Sequence, residues 1–236
     1  MLSGPDKEQV PPPTAVAFFD VDGTLLVSQS ATLFIRYLWR EGLIGIADLA
    51  RMGWGYVTYR FGFFNLALAA DFASNLLRGL EEADIIKRCQ AWYQDDVRQH
   101  YNQAVLGRLK WHQGRGHRVV LLSGASTYLC DLVSDDIRAD DYIANEFEIS
   151  DGVFTGRAKR PFCYGEGKLA RARQWADEKG VNLADCYYYG DSIGDLPVLS
   201  EVAHPCVVNP DPRLRVEARR RGWQAIDDST RGLPTQ

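Results

Sequence analysis

Residues 15–19, Ala15-Val16-Ala17-Phe18-Phe19, form an unbroken apolar run, the pattern of a strand buried on both faces, and the run stops at a polar turn beginning with Asp20. From residue 32 to 40 the apolar period becomes helical, and helical periodicity continues through 66–77 and 82–100 without a convincing strand. Beyond residue 100 the pattern alternates: helix 101–113, strand 117–122, helix 127–135 and strand 141–144. Residues 146–149 and 153–157 read as a hairpin turned by Asp151-Gly152. Helix 168–179, strand 186–189, helix 196–201, strand 205–208 and helix 212–221 complete the series.

Such alternation predicts an α/β fold, a parallel sheet with helices on both faces. The helical block at 29–100 is expected to be a small all-helical cap domain, leaving 15–28 and 101–236 as the core domain. Residues 1–14 carry Asp6, Lys7, Glu8 and Pro11-Pro12-Pro13, which predicts a flexible N-terminal tail rather than a signal peptide. The cap is dense in aromatic residues: Phe34, Tyr37, Trp39, Trp54, Tyr56, Tyr59, Phe61, Phe63 and Phe64. Large side chains can supply the core of a small domain, line an apolar pocket, or form a homodimer surface.

With 236 residues, 46% of them hydrophobic, the chain can bury one substantial core plus an accessory domain. Its net charge of −4 gives no support for nucleic-acid binding, and Arg213, Arg215, Arg219, Arg220 and Arg221 read as a solvated helix face. The most apolar stretch is interrupted by Asp48, Arg51, Arg60 and Asp71, so no transmembrane segment is expected. Cys89, Cys130, Cys163, Cys186 and Cys206 are odd in number and never in CxxC spacing, which argues against a disulfide framework or a zinc site and suits the cytoplasm.

Candidate chemistry collects at strand ends, where an open α/β sheet places reactive groups. Asp20 and Asp22 follow the first strand; one carboxylate can attack phosphorus while the other donates a proton to the leaving oxygen, although an Asp-rich turn is also a common plain loop. Ser123-Gly124 closes a second strand with a hydroxyl and free amides suited to phosphate, or serves as an ordinary helix cap. Lys168 opens a helix whose dipole and ammonium can face an anion, or is a solvated surface residue. Asp191 and Asp195 supply the carboxylate oxygens that Mg²⁺ prefers.

Taken in order, Asp20-Val21-Asp22-Gly23-Thr24-Leu25, Ser123, Lys168 and Gly190-Asp191 with Asp195 resemble the four motifs of the haloacid dehalogenase (HAD) superfamily, from Ala15 to about Asp228. Asp151-Gly152-Val153-Phe154-Thr155-Gly156 and residues 163–168 resemble its phosphoserine-phosphatase-like branch. The resemblance implies a HAD-like, Rossmann-type core with a helical cap and a Mg²⁺-dependent phosphomonoesterase acting on a small phosphorylated metabolite. Asp20 would be the nucleophile that becomes an aspartyl-phosphate, and Asp22 the acid and then the base. Asp20, Asp22 through its carbonyl and Asp191 would hold Mg²⁺, supported by Asp195. Ser123, Lys168 and the amides of Gly23, Thr24 and Gly124 would hold the phosphoryl group.

Phosphoserine phosphatases carry a Glu that pairs with the substrate ammonium where this chain has Gln29, and favour Ser at Gly23 and Asn at Gly194. An amino-alcohol phosphate of the histidinol-phosphate kind, phosphoserine, or a lysophospholipid phosphate therefore all remain candidates, with Arg51 and Arg60 as cap contacts. A phosphotransferase or phosphomutase would differ only in the acceptor, and a catalytically inert binding module would show a damaged motif, which this chain lacks.

Overall fold

The computed structural model describes residues 15–45, 74, 75 and 77–227. The first apolar run becomes β1 (Val16–Phe19), buried throughout. Val16 and Phe18 join one apolar cluster and Ala17 and Phe19 the other, so neither face of β1 tolerates a polar residue. The remaining strands are β2 (Arg118–Ser126), β3 (Asp141–Asn145), β4 (Phe147–Ser150), β5 (Val153–Ala158), β6 (Tyr187–Gly190), β7 (His204–Val208) and β8 (Gln224–Ile226). Six of them form one all-parallel sheet in the order β3-β2-β1-β6-β7-β8. The chain winds outward from β1 through β2 to β3, then returns to β6 on the other side of β1. That reversal opens a crevice at the carboxyl ends of β1 and β6, the usual ligand position in such sheets.

Helices α1 (Ser30–Arg40), α2 (Glu82–Trp92), α3 (Gln103–Gln113), α4 (Thr127–Ile137), α5 (Glu166–Lys179), α6 (Leu196–Glu201) and α7 (Pro212–Arg221) flank the strands. One face is covered by α5, α6 and α7 through residues such as Leu169, Trp175, Val198 and Leu214. The other is covered by α3 and α4 through Val105, Leu109, Leu129 and Val133. Leu33 and Tyr37 of α1, with Trp92, Tyr93 and Val97, belong to that same second cluster. Ile85 and Cys89 of α2 pack with Phe154 in a third cluster. Backbone bonds tie this segment to the hairpin, Gly79 N–H to Phe154 O at 3.0 Å and Glu82 N–H to Gly152 O at 2.8 Å.

The hairpin forms as the pattern predicts, with Ser150 paired to Val153 across Asp151-Gly152, both at positive φ, 50° and 78°. Several boundaries differ: α1 and α5 each begin two residues early, at Ser30 and Glu166, and β2 runs past the expected end at 122 to Ser126. The helix expected from 101 begins at Gln103, because the Asn102 side chain accepts the amides of Ala104 and Val105 as an N-cap. The helix expected over 82–100 is α-helical only to Trp92 and continues as a π turn (Tyr93–Val97) and a 3₁₀ turn (Arg98–His100). Tyr93 and Arg98 both reach Asp136 of α4 there, a tertiary tie that local periodicity does not encode. Strand β8 was not expected; it has three residues, two of them exposed.

The tail 1–14, Arg51, Arg60 and the aromatics Trp54, Tyr56, Tyr59, Phe61, Phe63 and Phe64 lie outside the described residues. Of the helix expected at 66–77, residues 74, 75 and 77 are described and helical. No helix among the described residues is long and apolar enough to cross a membrane.

Candidate active site

Asp20 continues the pairing of β1 for one residue, its amide donating to Tyr189 O at 2.9 Å, so strand geometry fixes where its carboxylate emerges. The Val21 amide donates to Asp20 Oδ1 at 2.7 Å. The Lys168 ammonium stands 3.0 Å from Asp20 Oδ2 and 2.6 Å from Asp195 Oδ1. Lys168 arrives there because it lies on the buried stripe of α5 with Leu169, Ala172, Trp175 and Ala176, a helical spacing that turns it inward. Asp20, Lys168 and Asp195 are only 6%, 3% and 1% exposed, so the ion pairs act in a medium with little water to weaken them.

Asp195 is saturated. Its Oδ1 also accepts the Tyr188 hydroxyl at 2.6 Å, and its Oδ2 accepts the Asp191 and Ser192 amides at 3.2 and 3.0 Å and the Ser192 hydroxyl at 3.0 Å. It thereby folds the turn that presents Asp191. Gly23, at φ +75°, lets that turn approach, because the Asp191 carboxylate occupies the space a Cβ at position 23 would need. Carboxylate oxygens of Asp20, Asp191 and Asp195 come within 4.8 Å of one another.

Burial pushes Asp20 up to about 7, against the pull of Lys168. Burial, followed by the charges of Asp20 and Asp195, pushes Asp191 up to about 8. Burial opposes ionisation of Asp195 as well, but Lys168 and the converging hydrogen bonds hold it below the usual carboxylate range. Lys168 keeps its proton despite burial because Asp195 and Asp20 flank it. Three carboxylates thus face one ammonium, a surplus of negative charge that a hard divalent cation would compensate; the all-oxygen donor set fits Mg²⁺ and lacks the His or Cys that favours zinc.

Both oxygens of Asp22 are bound by Ser30, whose amide donates to Oδ1 and whose hydroxyl donates to Oδ2, each at 2.7 Å. Burial raises the Asp22 carboxyl while the two Ser30 bonds work against the rise. Ser123, fully buried, lies within β2 two residues past Leu121, the partner of Phe19, rather than closing the strand as expected, and its Oγ accepts the Ala125 amide at 3.2 Å. Asn145 links this strand to the next loop, donating to Gly124 O at 2.7 Å and accepting the Cys163 amide at 2.8 Å. The Thr24 hydroxyl is buried with no hydrogen-bond partner among the described residues.

Asp20, Asp191, Asp195 and Lys168 are therefore brought together, with Asp22 beside them and Ser123 and Gly124 on the neighbouring strand. Gln29 is exposed and precedes Ser30 directly; its carbonyl accepts the Thr32 and Leu33 amides, and its side chain makes no cap bond. Arg78 lies against Gly156 of the hairpin and donates to Asn75 at 3.0 Å. A cavity of about 610 Å³ beside edge strand β3 and the hairpin is lined by Tyr128, Glu146, Lys159, Arg171 and Trp175 among others, and contains none of the site carboxylates.

Three contributors escaped the sequence reading. Ser30 had a usable signal, a Ser at the start of a helical period. Tyr188 in an apolar strand reads as core, and Asn145 carries no local mark of its tertiary partners.

A sequence-family model described as haloacid dehalogenase-like hydrolase matches residues 17–200. A phosphoserine phosphatase of Mycobacterium tuberculosis is 29% identical over 231 residues, covering 95% of this chain and 74% of the relative. A histidinol-phosphatase of Neisseria meningitidis is 27% identical over 217 residues, covering 90% of this chain and 98% of the relative. A crystal structure of a protein of unknown function from Bordetella pertussis Tohama I superposes with a TM-score of 0.84 at 29% identity, covering 90% of this chain and 98% of that one.

Proposed function

The chain belongs to the haloacid dehalogenase-like hydrolases, and on that footing we propose that it is a Mg²⁺-dependent phosphomonoesterase that turns over a small phosphorylated metabolite through an aspartyl-phosphate on Asp20. The observation that carries this reading is the buried Lys168 ammonium held between Asp20 and Asp195 at 3.0 and 2.6 Å. A buried cation beside a strand-end carboxylate is suited to receiving a phosphoryl group, whose charge it offsets as the carboxylate attacks.

An oxygen of Asp20 attacks phosphorus and the ester P–O bond breaks. Asp22 gives its proton to the departing alkoxide, then takes one from the water that attacks the aspartyl-phosphate; phosphate leaves and Asp20 is restored. Burial favours the protonated form of Asp22 needed first, and the Ser30 bonds favour the carboxylate needed second. Ser123, Lys168 and the amides of Gly23, Thr24 and Gly124 steady the phosphoryl oxygens. Asp20, Asp191 and the Asp22 carbonyl would hold Mg²⁺, with Asp195 setting the Asp191 turn through its amide bonds. When bound, the ion supplies Lewis-acid neutralisation of the phosphate charge.

The names of the relatives support an amino-alcohol phosphate, histidinol phosphate or phosphoserine, as substrate. Gln29 weakens the case for phosphoserine, because a neutral amide forgoes the stronger charge-assisted bond to an ammonium. Phosphotransfer to an alcohol acceptor would use the same residues. A cytoplasmic setting belongs to this reading and is supported by five buried cysteines that are all free thiols. Phosphate release across a panel of phosphorylated metabolites, with Mg²⁺ and with EDTA, tests it: activity on at least one monoester that chelation removes is expected, and absence of release from all of them overturns it.

A further inference from the structure

Tyr164 lies where the two loops that carry the site's charges meet. Its carbonyl accepts the Lys168 amide at 3.3 Å as the chain turns into α5. Its ring occupies the space that a Cβ on Gly194 would require, inside the turn between Asp191 and Asp195. The adjacent Gly165 amide donates to Gly194 O at 3.1 Å, so backbone and ring dock on the same residue. The 160–164 loop is itself held: Cys163 N–H donates to Asn145 Oδ1 at 2.8 Å, and the Arg160 guanidinium stands 4.7 Å over the Phe162 ring.

Exposure separates Tyr164 from its neighbours. Lys168 is 3% exposed and Asp195 1%, whereas Tyr164 is 38% exposed. A phosphoryl group at Asp20 and Lys168 would sit among buried residues, which leaves the alcohol portion of the ester to the more exposed residues beside them. Tyr164 joins the start of α5 to the turn between Asp191 and Asp195, and its ring lies over Gly194, which contributes no side chain beneath it.

Resting on the phosphomonoesterase reading, we propose that Tyr164 is a substrate-contacting specificity residue: its ring is the platform for the leaving alcohol, and the preferred esters carry a flat unsaturated or aromatic head group. Ring-on-ring contact of this kind adds selectivity without touching phosphorus. It also assigns different work to the two ends of the site, with the carboxylates and Lys168 acting on every phosphoryl group and Tyr164 sorting the alcohols.

The test compares wild type, Tyr164→Ala and Tyr164→Phe in Mg²⁺ on histidinol phosphate, whose head is an imidazole, and on acetyl phosphate, which has no ring. The expected result is a five- to tenfold fall in the histidinol phosphate to acetyl phosphate ratio of kcat/KM for Tyr164→Ala, expressed in KM, and retention of the ratio by Tyr164→Phe. Equal losses on both substrates would make Tyr164 a support for Lys168 and overturn the proposal, as would an unchanged ratio or a Tyr164→Phe variant that behaves like Tyr164→Ala. Wild type that releases phosphate from acetyl phosphate but shows no ring-dependent ratio sinks this proposal alone; wild type inert on both and on every monoester of the panel sinks the phosphomonoesterase reading with it. Thermal melts of the three proteins identify any Tyr164→Ala loss that comes from unfolding, and Tyr164→Phe then decides the question by itself.

Discussion

Ser30 binds both carboxylate oxygens of Asp22, through its amide and its hydroxyl, at 2.7 Å each. Ser30 opens α1, so the proposed acid is fixed by the first residue of the segment that leads into the expected cap. The hydroxyl can rotate to accept a proton-bearing Asp22, whereas the amide can only donate. Ser30→Ala removes the adaptable half of this contact. The expected result is a fall of about tenfold in kcat on an alkyl phosphate, roughly the worth of one hydrogen bond to a charged group, and a smaller fall on p-nitrophenyl phosphate, whose leaving group needs little protonation. Equal losses on the two substrates would separate Ser30 from the acid step.

Asp195 receives five donors, so its replacement tests structure rather than chemistry. With Mg²⁺ present to compensate Asp20 and Asp191, Asp195→Asn leaves the buried Lys168 with one anion instead of two. Loss of a partner from a buried pair costs about 3 kcal/mol or more. Urea unfolding measures it; a change below about 1 kcal/mol would show that the pair with Asp20 suffices.

The surplus of carboxylates gives stability a pH dependence with a definite sign. Burial pushes the Asp20 and Asp191 carboxyls up to about 7 and about 8, above the 3.8 of an unperturbed Asp, so across this interval the folded metal-free protein holds protons that the unfolded chain has lost. Its stability therefore falls as pH rises toward 8. His112, which burial pushes down to about 4, acts mainly below pH 6.5 and does not mask the effect. The Tm of EDTA-treated protein is expected to drop from pH 6.5 to pH 8, and Mg²⁺ to raise Tm more at pH 8 than at pH 6.5. Asp191→Ala should shrink that Mg²⁺ shift. A Mg²⁺ effect independent of pH, or undiminished in Asp191→Ala, would place the ion elsewhere.

Gln29 immediately precedes Ser30, and its exposed side chain is not engaged in capping α1. Gln29→Glu is expected to raise kcat/KM for phosphoserine relative to ethyl phosphate about fivefold, the effect of a recovered charge-assisted bond of about 1 kcal/mol. A wild-type enzyme already strongly selective for phosphoserine would contradict this reading of position 29.

Part of the candidate site was legible because it breaks local rules: two aspartates after a wholly buried strand are costly unless used, which marked Asp20 and Asp22. Lys168 read equally well as a helix-start cation or a solvated surface residue, and it was the resemblance of the four motifs that singled it out; its place on the buried stripe of α5 is visible only in the structure. The sheet was legible for the related reason that β1, β2 and β6 are apolar on both faces. What was hidden obeys local rules while serving distant partners. Tyr188 reads as a strand aromatic although its hydroxyl binds Asp195, and Ser30 reads as a helix start although it binds Asp22. Gly23 was read as a missing polar group, but its space is taken by Asp191, a contact between loops far apart in sequence. The turn at 93–100 escaped because Asp136, which ties it, is on another helix.

The central claim is that Asp20 carries the phosphoryl group. Its most direct test is acid quenching of the enzyme during turnover of acetyl phosphate with Mg²⁺, borohydride reduction of any acyl phosphate, and sequencing of the peptides by mass spectrometry. The account predicts homoserine at position 20 in wild type and none in Asp20→Asn, which should also be inactive while melting no lower than wild type. Reduction at any other residue, or no reduction at all while phosphate is still released, would contradict it.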